Sequence, residues 1–215
     1  MDTRNRKLYI TAAAFLLIFV AWTVVVSLVD VRAIGPQNSM IGLASLNIAF
    51  HRLTGVHMWL YSVTDWLGLV PFVFVVGFAI LGLVQWIRRK KLRYVDFSIM
   101  ILGGFYIITM AVYVLFEYLV INYRPVLINS VLEASYPSST TMLVMCVMPT
   151  SMMQLYERIK RNVFKWGVML AIVAFIGFMV TGRLLSGVHW VSDIIGGGLL
   201  SAGLVTLYAA VCKSK

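Results

Sequence analysis

Charged side chains are scarce in this sequence: Asp, Glu, Lys and Arg together make up 12% of its 215 residues. Soluble chains carry about twice that share. With 61% of residues hydrophobic, the chain could not clothe a water-facing surface, so lipid is the solvent for most of it. A soluble globular domain, a disordered chain and a coiled coil are thereby excluded. Cysteine is scarce as well. The two present, Cys146 and Cys212, lie inside apolar runs, which excludes a disulfide-built secreted scaffold and marks them as small buried hydrophobes. The sequence also lacks internal repeats, low-complexity tracts and any metal-spaced cluster of His, Cys, Asp and Glu.

Acidic residues are scarcer than basic ones, 8 against 18, for a net charge of +10. Such an excess could signal nucleic acid, but in a membrane chain basic residues first report orientation. A helix needs about 20 apolar residues to cross the hydrocarbon layer, and six segments meet or approach that length: 8–29, 59–87, 97–121, 140–156, 166–185 and 191–212. They are too long and continuous for barrel strands, which would alternate in polarity. The reading is an all-α, polytopic membrane protein, a single domain over 1–215 with six transmembrane helices. The first run is a retained helix rather than a signal peptide, because it has no small-residue cleavage pattern before Asp30.

Six crossings put both termini on one side, together with the connections 88–96 and 157–165. That side receives Arg4, Arg6, Lys7, Arg88, Arg89, Lys90, Lys91, Arg93, Arg158, Lys160, Arg161, Lys165, Lys213 and Lys215. These are 14 of the 18 basic residues; Arg32, Arg52, Arg124 and Arg183 fall opposite. The positive-inside rule makes the 14-residue side cytoplasmic, and an odd number of spans would spoil the separation. The weakest span, 140–156, contains Pro149 and reads as a kinked helix buried in protein. Gly103-Gly104 and Gly196-Gly197-Gly198 are expected to let helices approach closely. The long outer connection 30–58 suits an interfacial amphipathic helix or a re-entrant hairpin. The basic run 88–93 anchors topology and could also touch anionic headgroups.

Outside the cytoplasmic connections, polar and ionisable residues gather in three places near the outer ends of the third to sixth spans. Groups of this kind near lipid are costly and usually face a cavity where they have a function. The first cluster is Glu117 followed by Asn122-Tyr123-Arg124-Pro125. The second is Glu133-Ala134-Ser135-Tyr136-Pro137-Ser138-Ser139-Thr140-Thr141, which either caps a helix or builds an anion site at its N-terminus. The third is Gly182-Arg183 followed by Ser186-Gly187-Val188-His189-Trp190-Val191-Ser192-Asp193. His189 and Asp193 are four apart, so a helix starting near His189 would set the carboxylate one turn away to orient the imidazole. Two arginines, an imidazole and a helix N-terminus together read as a phosphate site. His51 and His57, six apart with no third ligand, read as interfacial residues rather than metal ligands. The methionines from Met142 to Met153 read as packing.

These residues resemble the type 2 phosphatidic acid phosphatases, the membrane branch of the superfamily that includes vanadium haloperoxidases, with the pattern K-x6-R-P, P-S-G-H and S-R-x5-H-x3-D. Arg124-Pro125 is similar to the end of the first motif and Pro137-Ser138 to the start of the second. Arg183, His189 and Asp193 match the third at full spacing. The resemblance implies a His189 nucleophile oriented by Asp193, with Arg124 and Arg183 clamping the phosphoryl oxygens and Ser138, Ser139 and Thr140 adding hydrogen bonds. It also implies no metal or other cofactor and no nucleic acid.

Three departures from the pattern matter: Glu117 stands at the lysine, Thr140 at the second-motif histidine and Gly182 at the third-motif serine. The absent histidine is the family's general acid, a function worth about 10²–10⁴-fold in rate. A leaving phosphate needs protonation less than a leaving alkoxide does, so a prenyl diphosphate tolerates Thr140 better than phosphatidic acid. Alternatively Glu117 or Glu133 supplies the proton, if burial or substrate charge raises its pKa. Two readings follow: a phosphohydrolase acting on a lipid phosphate or diphosphate at the outer face of a bacterial plasma membrane, or a catalytically degenerate member that binds a lipid phosphate or a partner protein. A transporter is disfavoured, because no ionisable path crosses the midplane.

Overall fold

The computed structural model describes residues 3–214, so Lys215, one of the 14 basic residues assigned above, lies outside the described part. The chain is 76% helical. In order, the elements are α1 (Thr3–Leu28), β1 (Arg32–Ala33), β2 (Met40–Ile41), α2 (Ala44–Thr54), α3 (Met58–Leu67), α4 (Val70–Arg89), α5 (Phe97–Tyr118), α6 (Ser139–Arg158), α7 (Asn162–Leu185) and α8 (Val191–Lys213).

Among the described residues, five segments are long and apolar enough to span a membrane: α1, α3 with α4 as Met58–Arg89, α5, α7 and α8. The expected fourth span, 140–156, corresponds to α6, which is not among them. Its interior face carries Thr141, Thr150, Ser151 and Gln154, all buried. Protein rather than lipid surrounds that face, so it does not need an apolar surface there. The helix runs unbroken through Pro149, and the Thr150 hydroxyl beside it donates to Cys146 O at 2.8 Å. The second expected span, 59–87, is divided at Gly68-Leu69 into α3 and α4.

The core sits around α8, which packs along α1 and α6. Half of the most apolar stretch of α8 is buried, against 11% of that in Met58–Arg89. Close packing of α8 needs its glycines, as the sequence suggests. A Cβ on Gly196 would stand 2.6 Å from the Tyr136 ring, and one on Gly197 would stand 3.1 Å from Ser138 O. Gly103 and Gly104 behave differently. Nothing lies within 4 Å of where their Cβ atoms would be, and Gly103 borders an apolar cleft between α4 and α5.

The connection 30–58 contains a short strand pair and a helix. β1 and β2 pair antiparallel, Arg32 with Ile41 and Ala33 with Met40, and α2 follows. Gly42 crosses α1 so closely that a Cβ would lie 1.5 Å from Val26 O, so only glycine fits. This crossing brings α2 over the N-terminal end of α8, where Asn47 is fully buried.

Candidate active site

The last turns of α5 and α7 and the first turns of α6 and α8 meet at one end of the bundle, and the three polar clusters meet with them. The loop between α5 and α6 is tied back on itself: Arg124 N donates to Glu133 O at 3.1 Å and Ser135 N to Asn122 O at 2.9 Å. The loop between α7 and α8 joins it, because Trp190 Nε1 donates to Tyr123 O at 2.7 Å and Ser138 N to Asp193 O at 3.1 Å. Residues 55–57 lie across the α7–α8 loop at Gly187, whose φ is +69° and whose Cβ would sit 2.0 Å from Gly55 O. A side chain there would be strained and would also collide with backbone.

Asp193 is completely buried and satisfied by donors on several elements. Its Oδ2 accepts from Trp190 N at 2.9 Å, as a helix-start cap for α8, and also from the Ser135 hydroxyl. Its Oδ1 accepts from Asn122 Nδ2 at 3.3 Å and Ser192 Oγ at 3.2 Å. Asn122 in turn accepts from Gly42 N at 2.9 Å, and Asn47 Nδ2 donates to Ser192 Oγ at 3.0 Å. A buried carboxylate without such donors would be strongly disfavoured.

The expected contact between His189 and Asp193 is indirect. Nδ1 of His189 is 3.9 Å from Asp193 Oδ2, too far for a hydrogen bond. The Ser135 hydroxyl stands between them, 3.1 Å from His189 Nδ1. Because that hydroxyl donates to Asp193, it accepts from Nδ1–H, and this direction leaves the lone pair on Nε2. The Nε2 atom is buried and has no hydrogen-bond partner within the chain. Burial, and then the charges of Arg124 and Arg183, hold the imidazole pKa well below its ordinary value, with the Ser135 carbonyl opposing. A neutral imidazole with a free Nε2 is the form a nucleophile requires.

Both arginines reach the same place. Arg183 Cζ lies 4.9 Å from the Tyr61 ring centroid and Arg124 Cζ lies 6.0 Å from it. Arg183 is only 2% exposed. Its Nη2 donates to Thr140 Oγ1 at 2.6 Å and Asp65 Oδ1 at 3.2 Å, and its Nη1 to Thr64 Oγ1 at 3.4 Å. Arg124 Nε is 3.1 Å from Glu133 Oε2. Arg124 Nη1, Arg183 Nε and Ser138 Oγ are buried and have no hydrogen-bond partner within the chain. Two like charges over one aromatic ring, with donors left over, suit an oxyanion bearing several acceptors.

Of the residues expected from sequence, His189, Asp193, Arg124, Arg183, Ser138 and Thr140 therefore come together. Ser139 instead lines a crevice with Glu117 and Tyr113. Glu133 pairs with Arg124, and Glu117 is exposed near the end of α5. Among the described residues no group of three or more potential metal ligands occurs. His51 packs against the loop, Nε2 3.1 Å from Gly187 O and its ring 5.4 Å from that of Trp190. Sequence reasoning missed Tyr61, Thr64 and Asp65 on α3, as well as Asn47. The one available signal was Asp65 itself, an acid inside an otherwise apolar span.

Beyond Thr140 the surface turns apolar. Leu143, one turn further along α6, joins Pro71, Phe72 and Met110 around a pocket of ≈ 90 Å³. That pocket shares Val75, Tyr106 and Met110 with the ≈ 570 Å³ cleft between α4 and α5.

Residues 119–214 match the family model of the PAP2 superfamily. That match supports assignment of this part of the chain to the PAP2 superfamily. The fold agrees: the crystal structure of the first transmembrane PAP2 type phosphatidylglycerolphosphate phosphatase from Bacillus subtilis superposes with a TM-score of 0.62. The alignment covers 95% of this chain and 96% of that one at 19% identity. At that identity the likeness is one of fold. No curated protein matches the chain. The matched PAP2 region contains every residue of the site except those contributed by α2 and α3 and the Gly42 crossing.

Proposed function

We propose that the chain is an integral-membrane phosphohydrolase for a lipid phosphate or prenyl diphosphate. Its single domain, 1–215, crosses the plasma membrane of a bacterium six times with both termini cytoplasmic, and its reacting centre faces outward. α6 serves as the sixth span, lined by protein rather than lipid. The basic residues on the connections 88–96 and 157–165 support the orientation.

In this reading the His189 Nε2 lone pair attacks phosphorus while the bond from phosphorus to the leaving oxygen breaks. Arg124 and Arg183 hold the phosphoryl oxygens, aided by Ser138 and Thr140, and the Nδ1–H passes charge to Ser135 and Asp193 as the imidazole becomes cationic. Water then attacks the phosphohistidine, the N–P bond breaks, and inorganic phosphate leaves with His189 restored. The hydrocarbon tail lies along the small pocket by Leu143 and the apolar cleft between α4 and α5 that shares Val75, Tyr106 and Met110 with it.

One observation carries this reading. His189 Nε2, Arg124 Nη1, Arg183 Nε and Ser138 Oγ are all buried without a partner in the chain; the two arginines share the Tyr61 ring, and Ser138 N is bonded to the carbonyl of Asp193, four residues from His189. Buried polar atoms are otherwise almost always satisfied, and a bound phosphoryl group would satisfy all four. The test is phosphate release by the full-length protein in detergent from prenyl diphosphate, phosphatidylglycerol phosphate and phosphatidic acid. Release that is abolished in His189→Ala is expected. Absence of release from every substrate, with binding of the same lipids retained, would favour a lipid-phosphate binder instead.

A further inference from the structure

Two of the departures from the family pattern, Gly182 and Thr140, lie against the same element, α3. Gly182 leaves a gap on α7 that the Thr64 methyl enters: a Cβ at position 182 would stand 2.7 Å from Thr64 Cγ2. One residue along α3, Asp65 reaches Arg183 Nη2, the nitrogen that also holds the Thr140 hydroxyl. At the C-terminal end of α3, Gly68 faces Thr140: a Cβ at position 68 would stand 3.6 Å from Thr140 Cγ2. The loss of a side chain on α7 thus lets α3 settle where it delivers a carboxyl group beside the position from which a histidine is missing.

We infer that Asp65 is the proton donor to the leaving oxygen, in place of the histidine that Thr140 replaces. The inference rests on the phosphohydrolase reading above. Other acids fit less well. Glu133 pairs with Arg124 rather than with the arginine that holds Thr140, and Glu117 lies exposed by Tyr113 at the end of α5. Asp65 keeps its side chain 56% exposed.

The step balances. His189 Nε2 forms its bond to phosphorus as the phosphorus–oxygen bond to the leaving group breaks, and the Asp65 carboxyl proton moves to the departing oxygen, which leaves as an alcohol. In the second step water loses a proton to the Asp65 carboxylate and its oxygen bonds to phosphorus as the N–P bond breaks. Phosphomonoesters of alcohols then come within reach, beside diphosphates.

The experiment compares two probes with the full-length protein in detergent: dodecyl phosphate, whose leaving alkoxide is strongly basic, and p-nitrophenyl phosphate, whose leaving phenolate is weakly basic. Asp65→Asn, which keeps shape and an acceptor for Arg183, is expected to lower kcat for dodecyl phosphate about 10²–10⁴-fold and that for the aryl ester much less. The alkyl-to-aryl ratio should fall at least about tenfold, and Asp65→Glu should restore part of it. Should Asp65→Asn fail to fold, the wild type alone decides: an acid at the leaving oxygen makes kcat depend only weakly on leaving-group basicity across a series of phosphomonoesters. Equal loss on both probes, equal gain on both, or a steep dependence in the wild type overturns the assignment while the phosphohydrolase reading stands. A wild type that releases phosphate from neither probe nor from any of the lipids named above overturns both.

Discussion

His189 and Asp193 are coupled through a third side chain: their nearest atoms are 3.9 Å apart, and the Ser135 hydroxyl accepts from one and donates to the other. Asp193 is held at this distance because its Oδ2 also caps α8 at Trp190 N. The relay makes a specific forecast. Ser135→Ala removes a buried hydrogen bond to each partner, a loss of about 1–3 kcal/mol, or roughly 5- to 150-fold in rate if it is felt in the transition state. Steady-state kinetics should show the loss in kcat rather than in KM, because Ser135 touches the imidazole and not the phosphate. An effect confined to KM would contradict the relay.

The depressed pKa of His189 sets a stability slope. Burial and the two arginines keep the imidazole neutral in the folded protein, whereas the unfolded chain protonates it near 6.5. Below that pH the unfolded state binds more protons, so stability falls as pH falls, by at most about 1.4 kcal/mol per pH unit for this one group. Melting midpoints in one detergent between pH 7.5 and 5.5 should drop for the wild type and drop less for His189→Gln. Parallel curves for the two proteins would show that His189 is not held neutral by the fold.

How much of this was legible beforehand depended on whether the signal was local. The spans, the glycine triplet and the phosphate cluster at Arg124, Arg183, His189 and Asp193 rest on spacing along the chain, and long apolar runs and i,i+4 pairs are local patterns. The membership of α6 in the bundle was legible, but its polar face was not, since what surrounds a helix is decided by tertiary packing. Ser135 lay in a recognised cluster, yet its place between His189 and Asp193 depends on how the α5–α6 loop folds back through Asn122 and Arg124. Asp65 was the least legible. It is 118 residues from Arg183, and the gap that admits α3 exists only because position 182 has no side chain.

Arg183 grips its neighbours as a fork, Nη1 to Thr64 and Nη2 to Thr140 and Asp65. Lysine keeps the charge but presents one compact point of donors, so Arg183→Lys cannot hold this pattern and a phosphoryl oxygen together. Loss of one charge-assisted hydrogen bond, about 1.5–3 kcal/mol, should lower kcat/KM by roughly 10- to 150-fold. Restoring the charge without the fork should therefore recover little. A lysine variant within about twofold of the wild type would mean that the site uses Arg183 only as a charge.

The fit between α3 and α7 predicts a cost to restoring the family serine. In Gly182→Ser the new Cβ would fall 2.7 Å from Thr64 Cγ2, a separation that real Cβ atoms do not tolerate, so α3 must move or the helices must strain. Overpacking of this kind costs typically about 1–3 kcal/mol, and displacement of α3 would also draw Asp65 and Tyr61 away from Arg183. Thr64→Ser removes the offending methyl and keeps the hydroxyl that bonds Arg183. The double variant should therefore recover much of the stability that Gly182→Ser loses, giving an interaction free energy well outside the additive range of about 0.3–0.5 kcal/mol. Melting midpoints of the four proteins in the same detergent measure that term. Additive losses would show that Gly182 and Thr64 do not share the space assigned to them.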